Sequence, residues 1–335
     1  MSELSNLDAR FMAAAERLAR RGLGRVWPNP SVAALIVRFD AGAAVLVGRG
    51  VTSRPGMAHA EVNALNQAGD RAKGATCYVT LEPCSHYGRT PPCAKALIEA
   101  GVKRVVVGML DPNPRVAGRG VAMLRDAGIE VEVGVREKAM HALYRGFTYR
   151  QLKQRPVVFL KLAVSRDGFI GRAGEGQVKI SGALSMRKVH GFRAECDAIL
   201  VGSGTALADD PQLTCRLPGL ADRSPVRVII DRFARLPLTS KLVQTCVDVP
   251  VWLVCGNAAD ADKLADLAAA GVNVIRVPAE ETGIKPSVIL SALATRGITR
   301  VMVEGGSRLA SSFLATDLVD DLCVVTGDIV IGEGG

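Results

Sequence analysis

The stretch 80-TLEPCSHYGRTPPC-93, together with 58-AHAEVNAL-65, decides the fold of the first half of the chain. It places Cys84 and Cys93 after an apolar run, and the earlier stretch places His59 and Glu61 at the start of an expected helix. One imidazole and two thiolates suit a zinc ion, and they leave its fourth tetrahedral position open. The pattern therefore predicts a catalytic zinc site held by His59, Cys84 and Cys93.

The spacing of these residues matches most of a known pattern. Zinc deaminases carry HxE followed by PCxxC, in which the glutamate is not a ligand but an acid and base. Here HxE is intact and a proline precedes Cys84, but eight residues separate Cys84 from Cys93. In the alternative interpretation His59 caps a helix, Glu61 is solvated and both cysteines are loop thiols. Four elements in the expected order favour a deaminase with Glu61 as proton shuttle.

Outward from these stretches, apolar runs alternate with helical patterns. Helices are expected near residues 7–21, 59–68 and 94–100, and strands near residues 32–37, 45–50, 77–81 and 105–109. The polar, basic segment Tyr144 to Pro156 is the expected linker. After it, strands are expected near residues 157–163, 198–201, 226–231, 251–254, 272–277, 300–303 and 321–326. The alternation predicts two α/β domains with largely buried sheets.

Composition narrows the class of protein. The chain has 335 residues, 48% of them hydrophobic, which is enough for two cores of domain size. Its apolar runs are too short to span a bilayer and its start does not resemble a secretory signal, so we expect a soluble, cytoplasmic protein without a membrane partner. The net charge of +9 suits an anionic ligand, whereas 4% aromatic residues offer few platforms for stacked bases. We therefore expect a phosphorylated small molecule, and no nucleic acid, as partner.

Four motifs give the chain a closer resemblance. PNPSV at 28–32, HAEVNAL at 59–65, TLEPCSHYGRTPPC at 80–93 and DPNPRVAGRG at 111–120 resemble the bifunctional riboflavin-biosynthesis deaminase/reductases. The resemblance implies a cytidine-deaminase-like three-layer domain over 1–147, a linker over 148–156 and a dihydrofolate-reductase-like α/β domain over 157–335. It also implies zinc and NADPH as cofactors and a homo-oligomer, either a dimer or a tetramer.

The implied reactions act on one phosphorylated pyrimidine. The first removes the 2-amino group of 2,5-diamino-6-(5-phosphoribosylamino)pyrimidin-4-one by hydrolysis, and the second uses NADPH to reduce the ribosyl group to ribityl. For the deaminase the resemblance adds substrate contacts at Asn29, His86, Arg89, Asp111 and Asn113. A guanidinium such as that of Arg89 suits a phosphate. Beside proline, however, Asn29, Asp111 and Asn113 also suit plain turns, and His86 also suits an exposed loop.

For the reductase the resemblance runs through 160-LKLAVSRDGFIG-171, residues 193–216 and 303-VEGGSRLASSFL-314. It implies a sugar-phosphate site lined by Lys161, Arg193, Asp209, Leu213, Arg216 and Glu304. It implies an NADPH site lined by Ala163, Val178, Thr205, Asp209, Arg232, Gly306, Ser307, Arg308, Leu309, Ala310, Ser311 and Ser312. The glycines let a cofactor phosphate approach a helix N-terminus, although a tight turn alone also needs them. Lys161 suits a developing alkoxide or an ordinary strand edge.

The last residues of the sequence carry a further expectation. In the family, the reductase domain continues beyond the glycine-rich point that corresponds to 331-IGEGG-335. A missing edge leaves backbone groups unpaired and weakens a sheet. We therefore expect a sound deaminase half and an impaired reductase half.

Two other functions fit the zinc motif. An RNA-editing deaminase would bind an adenosine in the same pocket, but the long cysteine spacing and the second α/β domain, without a recognisable RNA module, disfavour it. A non-catalytic zinc-binding protein would close the metal site with a fourth ligand and would have no use for Glu61. Glu61 and the second domain together favour the bifunctional enzyme.

Overall fold

In the computed structural model, which describes residues 3–40, 43–87, 91–172 and 178–333, the chain divides into two units. Unit 1 is Met1–Lys153 and unit 2 is Gln154–Gly335, and the described strands of each unit form a separate sheet. The division falls inside the predicted linker 148–156. The predicted domain limits, 1–147 and 157–335, stay predictions.

Unit 1 contains the strands β1 (Ala33–Asp40), β2 (Ala43–Val51), β3 (Thr76–Val79), β4 (Arg104–Val107) and β5 (Glu130–Val133). These described strands form a mixed sheet in the order β2-β1-β3-β4-β5. β1 pairs antiparallel with β2 and β3, whereas β4 pairs parallel with β3 and β5. Every residue of β3 and β4 is buried, as expected of central strands in a layered domain.

The helices of unit 1 connect these strands and cover them: α1 (Glu3–Arg20), α2 (Ala60–Ala68), α3 (Cys93–Glu99), α4 (Arg119–Asp126), α5 (Glu137–Leu143) and α6 (Arg145–Lys153), with a 3₁₀ turn at Gly69–Ala72. The apolar side of α1 buries Met12, Ala15 and Ala19 completely. Arg104 of β4 fixes the same helix, because its guanidinium donates to both oxygens of Asp8 at 2.8 and 2.9 Å. Both charges are buried, so removal of either one would leave the other uncompensated.

The loops that carry the predicted site lie together at one edge of the unit 1 sheet. At the start of β1, the N–H of Ala33 donates to the Thr80 hydroxyl at 3.0 Å, and the N–H of Thr80 donates to the Ala33 carbonyl at 3.1 Å. The N–H of Glu82 donates to the Met109 carbonyl at 2.9 Å. The loop before β1, the β3–α3 loop (residues 80–92) and the β4–α4 loop (residues 108–118) therefore meet, because β1 runs opposite to β3 and β4.

Unit 2 contains the strands β6 (Val157–Val164), β7 (Ala198–Gly202), β8 (Val226–Ile230), β9 (Val251–Gly256), β10 (Asn273–Val277), β11 (Arg300–Val303) and β12 (Asp321–Thr326). These described strands form a sheet in the order β10-β9-β8-β7-β11-β6-β12, and each neighbouring pair is parallel. The chain runs outward from β7 to β10 and then returns to place β11 between β6 and β7. Such a reversal opens a crevice at the carboxyl ends of the central strands.

The helices of unit 2 are α7 (Ala183–Glu195), α8 (Ser203–Asp209), α9 (Lys241–Gln244), α10 (Ala261–Ala269), α11 (Pro286–Thr295) and α12 (Ser307–Leu314), with a 3₁₀ turn at Ala221–Arg223. α8 follows β7 directly, and α12 follows β11 after a short turn. Both helices therefore present their N-termini at the carboxyl edge of the sheet. Ile199, Ile229 and Leu253 are fully buried in the core beside this edge, which agrees with the continuous apolar runs of parallel strands.

The expected elements agree with the observed ones wherever the apolar runs are long. The seven strands expected in the second half all form, and their ends differ from the expected ones by one or two residues at most. β5 was not predicted, because its sequence EVEV has no continuous apolar run. α6 occupies most of the segment expected as a linker, although none of its residues, all of which are described, is buried. Good helix formers such as Gln151, Leu152 and Lys153 explain why this polar segment is helical.

Candidate active sites

Three predicted residues meet at the edge of the unit 1 sheet. His59 is the N-cap of α2, Cys93 is the first residue of α3, and Cys84 lies in the β3–α3 loop. The Nδ1 atom of His59 lies 3.6 Å from the Sγ of Cys84 and 3.3 Å from the Sγ of Cys93. The three ligand atoms all lie within 4.8 Å of one another. Ligands of one tetrahedral zinc ion are roughly 3.6 Å apart, so the cluster has the dimensions of a zinc site.

The protonation of the cluster also suits a metal dication. The pKa of Cys84 falls to about 4, because its sulfur accepts hydrogen bonds from the Cys93 thiol, from His59 and from the Cys93 N–H. The hydrogen bond with Cys84 raises the pKa of His59, and the contact between the two sulfurs raises the pKa of Cys93. Cys84 is thus the hydrogen-bond acceptor of the pair, as a thiolate would be. Cysteine binds a metal as thiolate, so a dication would take both sulfurs in deprotonated form.

Glu61 lies in the first turn of α2, and only 3% of the residue is exposed. Burial raises the pKa of its carboxyl to about 7, although hydrogen bonds from the backbone and the Cys93 thiol oppose this shift. A carboxyl group that titrates near neutral pH can both accept and release a proton. The contact with Cys93 places Glu61 beside the three ligands. The structure therefore brings together all four residues that the HxE and PC spacing predicted.

The β4–α4 loop lies beside this cluster and carries Asp111 and Asn113. The N–H of Asn113 donates to Asp111 Oδ1 at 2.8 Å, and the N–H of Arg115 donates to Asn113 Oδ1 at 3.0 Å. These are the turn contacts expected beside proline, and they leave Asp111 Oδ2 and Asn113 Nδ2 outside the turn. Burial raises the pKa of Asp111, and the charges of His86 and Cys84 are close enough to act on it. Asp111 and the exposed His86 therefore lie near the metal ligands.

Two other predicted substrate residues of unit 1 remain, Asn29 and Arg89. Arg89 lies outside the described residues. Asn29 is half-buried in the loop before β1. The hydroxyl of Tyr144 fixes this loop, because it donates to the Ser31 carbonyl at 3.3 Å and lies 2.5 Å from the Thr80 hydroxyl. Sequence reasoning missed Tyr144, since it begins the segment that was expected to be a linker.

Glu82, two positions before Cys84, was also missed. Its carboxylate accepts four backbone N–H groups from residues 111–121. A charged residue is rarely buried unless its charge is compensated. The signal that could have identified Glu82 is therefore its place directly after the apolar run 77–81 that predicts a strand.

In unit 2 the predicted sugar-phosphate residues meet around the segment that follows α8. Arg193 of α7 donates to the two carboxylate oxygens of Glu304 at 3.0 and 2.9 Å, and to the Thr214 carbonyl at 3.0 Å. Bidentate pairing of this kind fixes both side chains. Leu213 is buried and has a positive φ of 54°, and Arg216 is exposed. The structure thus brings Arg193, Glu304 and residues 213–216 together.

His190 is a further residue of this group that the sequence analysis missed. Its Nδ1 lies 3.1 Å from the Thr214 carbonyl and 3.3 Å from the N–H nitrogen of Arg216. Burial lowers the pKa of His190, and the positive charges of Arg193 and Arg216 lower it further. His190 precedes Arg193 by three positions, so both project from one face of α7. That spacing is the signal that could have paired them.

The predicted cofactor residues Thr205 and Gly306 are in contact. The hydroxyl of Thr205 accepts the N–H of Gly306 at 3.1 Å. Gly305 has a φ of 122°, and a Cβ built there would lie 2.9 Å from Thr205 Oγ1, so this turn favours glycine. The N-caps of α8 and α12 are also glycines, Gly202 and Gly306. Neither residue has a side chain that could accept the first N–H groups of its helix. The two helix N-termini therefore fit a cofactor phosphate.

Four other predicted residues of unit 2 are half-buried. Lys161 and Ala163 lie on β6, the neighbour of β11. Asp209 ends α8, and burial raises the pKa of its carboxyl. Val178 follows residues 173–177, which lie outside the described part of the chain. All four are partly accessible, as residues that line a binding site must be.

Arg232 is engaged elsewhere. It lies just after β8, with its guanidinium 4.7 Å from the centre of the Phe233 ring, and it donates to the Glu281 carbonyl. The other predicted cofactor residues, Gly306 to Ser312, lie on a different element, where they form the N-cap and first turns of α12. The structure gives Arg232 contacts to Phe233 and Glu281, and gives Thr205 a contact to the glycine turn.

Two family models match the chain. The model for the cytidine and deoxycytidylate deaminase zinc-binding region matches residues 5–109. The model for the RibD C-terminal domain matches residues 156–335. The first match contains the cluster around Glu61, and the second contains every strand of the unit 2 sheet.

Curated relatives and solved structures extend the similarity over both units. The riboflavin biosynthesis protein RibD of Bacillus amyloliquefaciens is 40% identical, over 97% of this chain and 86% of its own length. RibD of Escherichia coli strain K12 is 39% identical, over 97% of this chain and 89% of its own length.

Among solved structures, Acinetobacter baumannii RibD has a TM-score of 0.87 and 40% identity, and the match covers 99% of this chain and 90% of that one. The diaminohydroxyphosphoribosylaminopyrimidine deaminase/5-amino-6-(5-phosphoribosylamino)uracil reductase of Thermotoga maritima has a TM-score of 0.84 and 37% identity, with the same coverage of 99% and 90%. The fold of both units is therefore shared with these proteins.

Proposed function

The chain belongs to the RibD family and is a bifunctional zinc deaminase and NADPH-dependent reductase of riboflavin biosynthesis, and on that premise we propose which residues carry each reaction. Unit 1 deaminates 2,5-diamino-6-(5-phosphoribosylamino)pyrimidin-4-one, and unit 2 reduces the ribosyl group of the product to ribityl. One observation carries the assignment: His59, Cys84 and Cys93 converge with the buried Glu61 beside them.

In the deaminase site His59, Cys84 and Cys93 hold the zinc ion and Glu61 moves protons. Zinc, when bound, supplies the Lewis acidity that makes water nucleophilic near neutral pH. The Glu61 carboxylate accepts a proton from the water that attacks the ring carbon bearing the 2-amino group, and passes it to the adjacent ring nitrogen. It then carries a proton to the departing amine. Water and the amino-substituted ring become the carbonyl product and ammonia.

The loops around the cluster hold the rest of this substrate. Asp111 Oδ2 and Asn113 Nδ2, which lie outside the turn, suit a ribose hydroxyl and a phosphate oxygen. His86 and Arg89 meet the base and the phosphate, and Asn29 hydrogen-bonds in the pocket. His86 is close enough to Asp111 to act on the pKa of its carboxyl, which supports this arrangement.

In the reductase site Thr205 and the run Gly306 to Ser312 would bind NADPH, with further contacts from Ala163, Val178 and Asp209. The sugar phosphate is bound by Lys161, Arg193, Asp209, Leu213, Arg216 and Glu304. Glu304 holds Arg193, so Arg216 is the more accessible guanidinium for the phosphate. When bound, NADPH would supply the hydride for reduction of the sugar carbon, and Lys161 would stabilise the alkoxide that develops on the sugar.

We propose a cytoplasmic homo-oligomer that binds neither membranes nor nucleic acid. All eight cysteines lie among the described residues and are free, as is usual in a reducing compartment. In the described ranges, no helix has both the length and the apolar character needed to cross a bilayer. The small number of aromatic residues supports a small-molecule substrate, and the resemblance to the family supports oligomerisation.

Mass spectrometry of the products tests the proposal. Zinc-loaded protein is incubated with the diaminopyrimidinone ribosylamino phosphate, with and without NADPH. Without NADPH we expect an amino group to be replaced by oxygen, and with NADPH we expect the deaminated product to gain two hydrogens. An unchanged substrate, together with deamination of a tRNA anticodon loop, would instead identify an RNA-editing enzyme.

A further inference from the structure

The β4–α4 loop and the start of α4 are attached to the β3–α3 loop by a single carboxylate. Glu82 Oε2 accepts the N–H groups of Asp111 at 3.1 Å and Gly118 at 2.9 Å. Glu82 Oε1 accepts the N–H groups of Gly120 at 2.9 Å and Val121 at 3.2 Å. Only 7% of Glu82 is exposed. Both oxygens of this buried carboxylate therefore bind backbone that follows β4.

The contacts at α4 are those of a helix cap. The N-cap residue of α4 is Gly118, which has no side chain to cap the helix. Gly120 and Val121 occupy the second and third positions of α4, and their N–H groups are the ones that an N-cap side chain usually satisfies. Glu82 supplies this cap from another loop. Its negative charge also suits the positive end of the helix dipole.

A close backbone approach fixes the two loops at the same place. A Cβ built at Gly120 would lie 1.9 Å from the carbonyl oxygen of Pro83, far inside any tolerated contact. The start of α4 therefore packs on the backbone directly before Cys84. The N–H of Glu82 adds a hydrogen bond to Met109 on the other side of the loop.

We propose that Glu82 is a positioning residue for deamination, because it caps α4 from the metal-binding loop and thereby fixes the β4–α4 loop beside the zinc ligands and Glu61. The inference rests on the proposed function, in which Asp111 and Asn113 of that loop contact the substrate. Glu82 acts on these residues through their backbone. It links the position of the substrate's sugar phosphate to the position of the reacting ring.

The chemistry of a carboxylate explains why glutamate is needed here. A carboxylate offers two acceptor oxygens and no donor, so it can serve two pairs of N–H groups at once. Glutamine would keep one oxygen for one pair and turn its NH₂ group toward the other pair. Two donors would then lack their acceptor, and the loop would leave its position to find another.

A structural role alone predicts a different result from a positioning role. If Glu82 only stabilised unit 1, its replacement would lower the yield of folded protein and leave the kinetics of the folded, zinc-loaded fraction unchanged. A positioning role predicts a higher KM for the pyrimidine substrate at a nearly constant kcat. The metal ligands and Glu61 stay in place, whereas the contacts to the sugar phosphate move.

The experiment compares Glu82→Gln with Glu16→Gln in the full, zinc-loaded chain. Glu16 is a matched control, because it is also a buried carboxylate of unit 1 and pairs with Arg20 and Arg136. We expect Glu82→Gln to raise the KM for deamination about tenfold with unchanged zinc content, and Glu16→Gln to leave KM unchanged. Glu82→Asp keeps two acceptor oxygens at shorter reach and provides a measurable variant if glutamine prevents folding. A wild-type KM, or loss of zinc together with kcat, overturns the proposal.

Two further measurements separate failure of this inference from failure of the proposed function. Hydrogen exchange of residues 108–122 needs no substrate and should be faster in Glu82→Gln, and unchanged exchange overturns the inference. Asn113→Ala should raise KM by itself, and an unchanged KM contradicts only the role assigned to Asn113. In the double variant the two effects on KM should be less than additive, because both act through one loop.

Discussion

Unit 1 and unit 2 assemble their candidate sites in different ways. In unit 1 the zinc ligands and Glu61 come from two short stretches of sequence at one edge of a mixed sheet. In unit 2 the predicted residues come from α7, α8, α12 and β6 and from the segments that follow α8, β8 and β11 in a parallel sheet. The first site is largely contained in local sequence. The second exists only after strands far apart in sequence have paired.

The charged side chains of the two sites are also held differently. In unit 1 the hydrogen bond from Cys93 lowers the pKa of Cys84 to about 4, and burial raises the pKa of Glu61 to about 7. In unit 2 Arg193 and Glu304 satisfy each other in a bidentate pair. In the proposed mechanism unit 1 therefore supplies a group that carries protons, whereas unit 2 supplies a scaffold that orients a cofactor, and the cofactor carries the redox chemistry.

Removal of zinc should have the largest effect of all, and it should change the activity of unit 1 but not that of unit 2. We expect chelation to abolish deamination and to leave NADPH-dependent reduction of the deaminated substrate intact, because His59, Cys84 and Cys93 all belong to unit 1. Both rates are measured on one sample before chelation, after it and after zinc is restored. Parallel loss of both activities would contradict the contrast between the units.

Glu61→Gln should lower the kcat of deamination by about 10³-fold, since glutamine cannot carry a proton in this step. Zinc content, measured by elemental analysis, should be unchanged because Glu61 is not a ligand. Glu99→Gln is a suitable control, since Glu99 is an exposed carboxylate on α3 that pairs only loosely with Lys95 at 3.7 Å. Turnover near the wild-type rate in Glu61→Gln would exclude Glu61 as the proton carrier.

Glu304→Gln should weaken unit 2 alone. The substitution removes the carboxylate that holds the buried guanidinium of Arg193, and we expect kcat/KM for reduction to fall about thirtyfold, equivalent to roughly 2 kcal/mol. Deamination by the same sample should be unchanged. Glu280→Gln, which removes an exposed ion pair with Lys285, should leave both activities unchanged. Equal effects of the two substitutions would show that the buried pair has no special role.

The smallest effect concerns pH and His190. Burial, assisted by Arg193 and Arg216, lowers the pKa of His190 in the folded state, whereas in the unfolded chain the value is about 6.5. The unfolded state therefore binds more protons as the pH falls below about 6.5, and unit 2 loses stability there. In a Trp27→Phe background Trp252 reports on unit 2 alone. His190→Asn should reduce the drop in the urea midpoint between neutral and acidic pH, and an undiminished drop would exclude His190 as its source.

The metal cluster could be predicted from sequence because its members have a fixed chemical identity and a short spacing. His59 and Glu61 share one helix start, and Cys84 and Cys93 bracket one loop. The strands of unit 2 were equally predictable, because a parallel sheet buries both faces and each strand is a continuous apolar run. Local sequence was sufficient wherever the deciding contacts are local.

The supporting residues could not be predicted for the opposite reason. Tyr144 contacts Ser31 across 113 positions, and Glu82 contacts Val121 across 39. Each binds backbone groups, which carry no side-chain signature in the sequence. The position of β11 between β6 and β7 belongs to the same class, since strand order depends on pairing rather than on the strand itself.

Because β11 is synthesised after β6 to β10, its central place in the sheet affects how the chain folds as it leaves the ribosome. In unit 1 the sheet neighbours are close in sequence order, so β1, β2 and β3 can pair as soon as they are synthesised. In unit 2, β6 and β7 are separated from each other by the place that β11 will fill, and β11 begins only at Arg300. Until then the central edges of β6 and β7 stay unpaired, and long-range parallel pairing of this kind is slow. We therefore expect nascent unit 2 to be more exposed to aggregation than nascent unit 1.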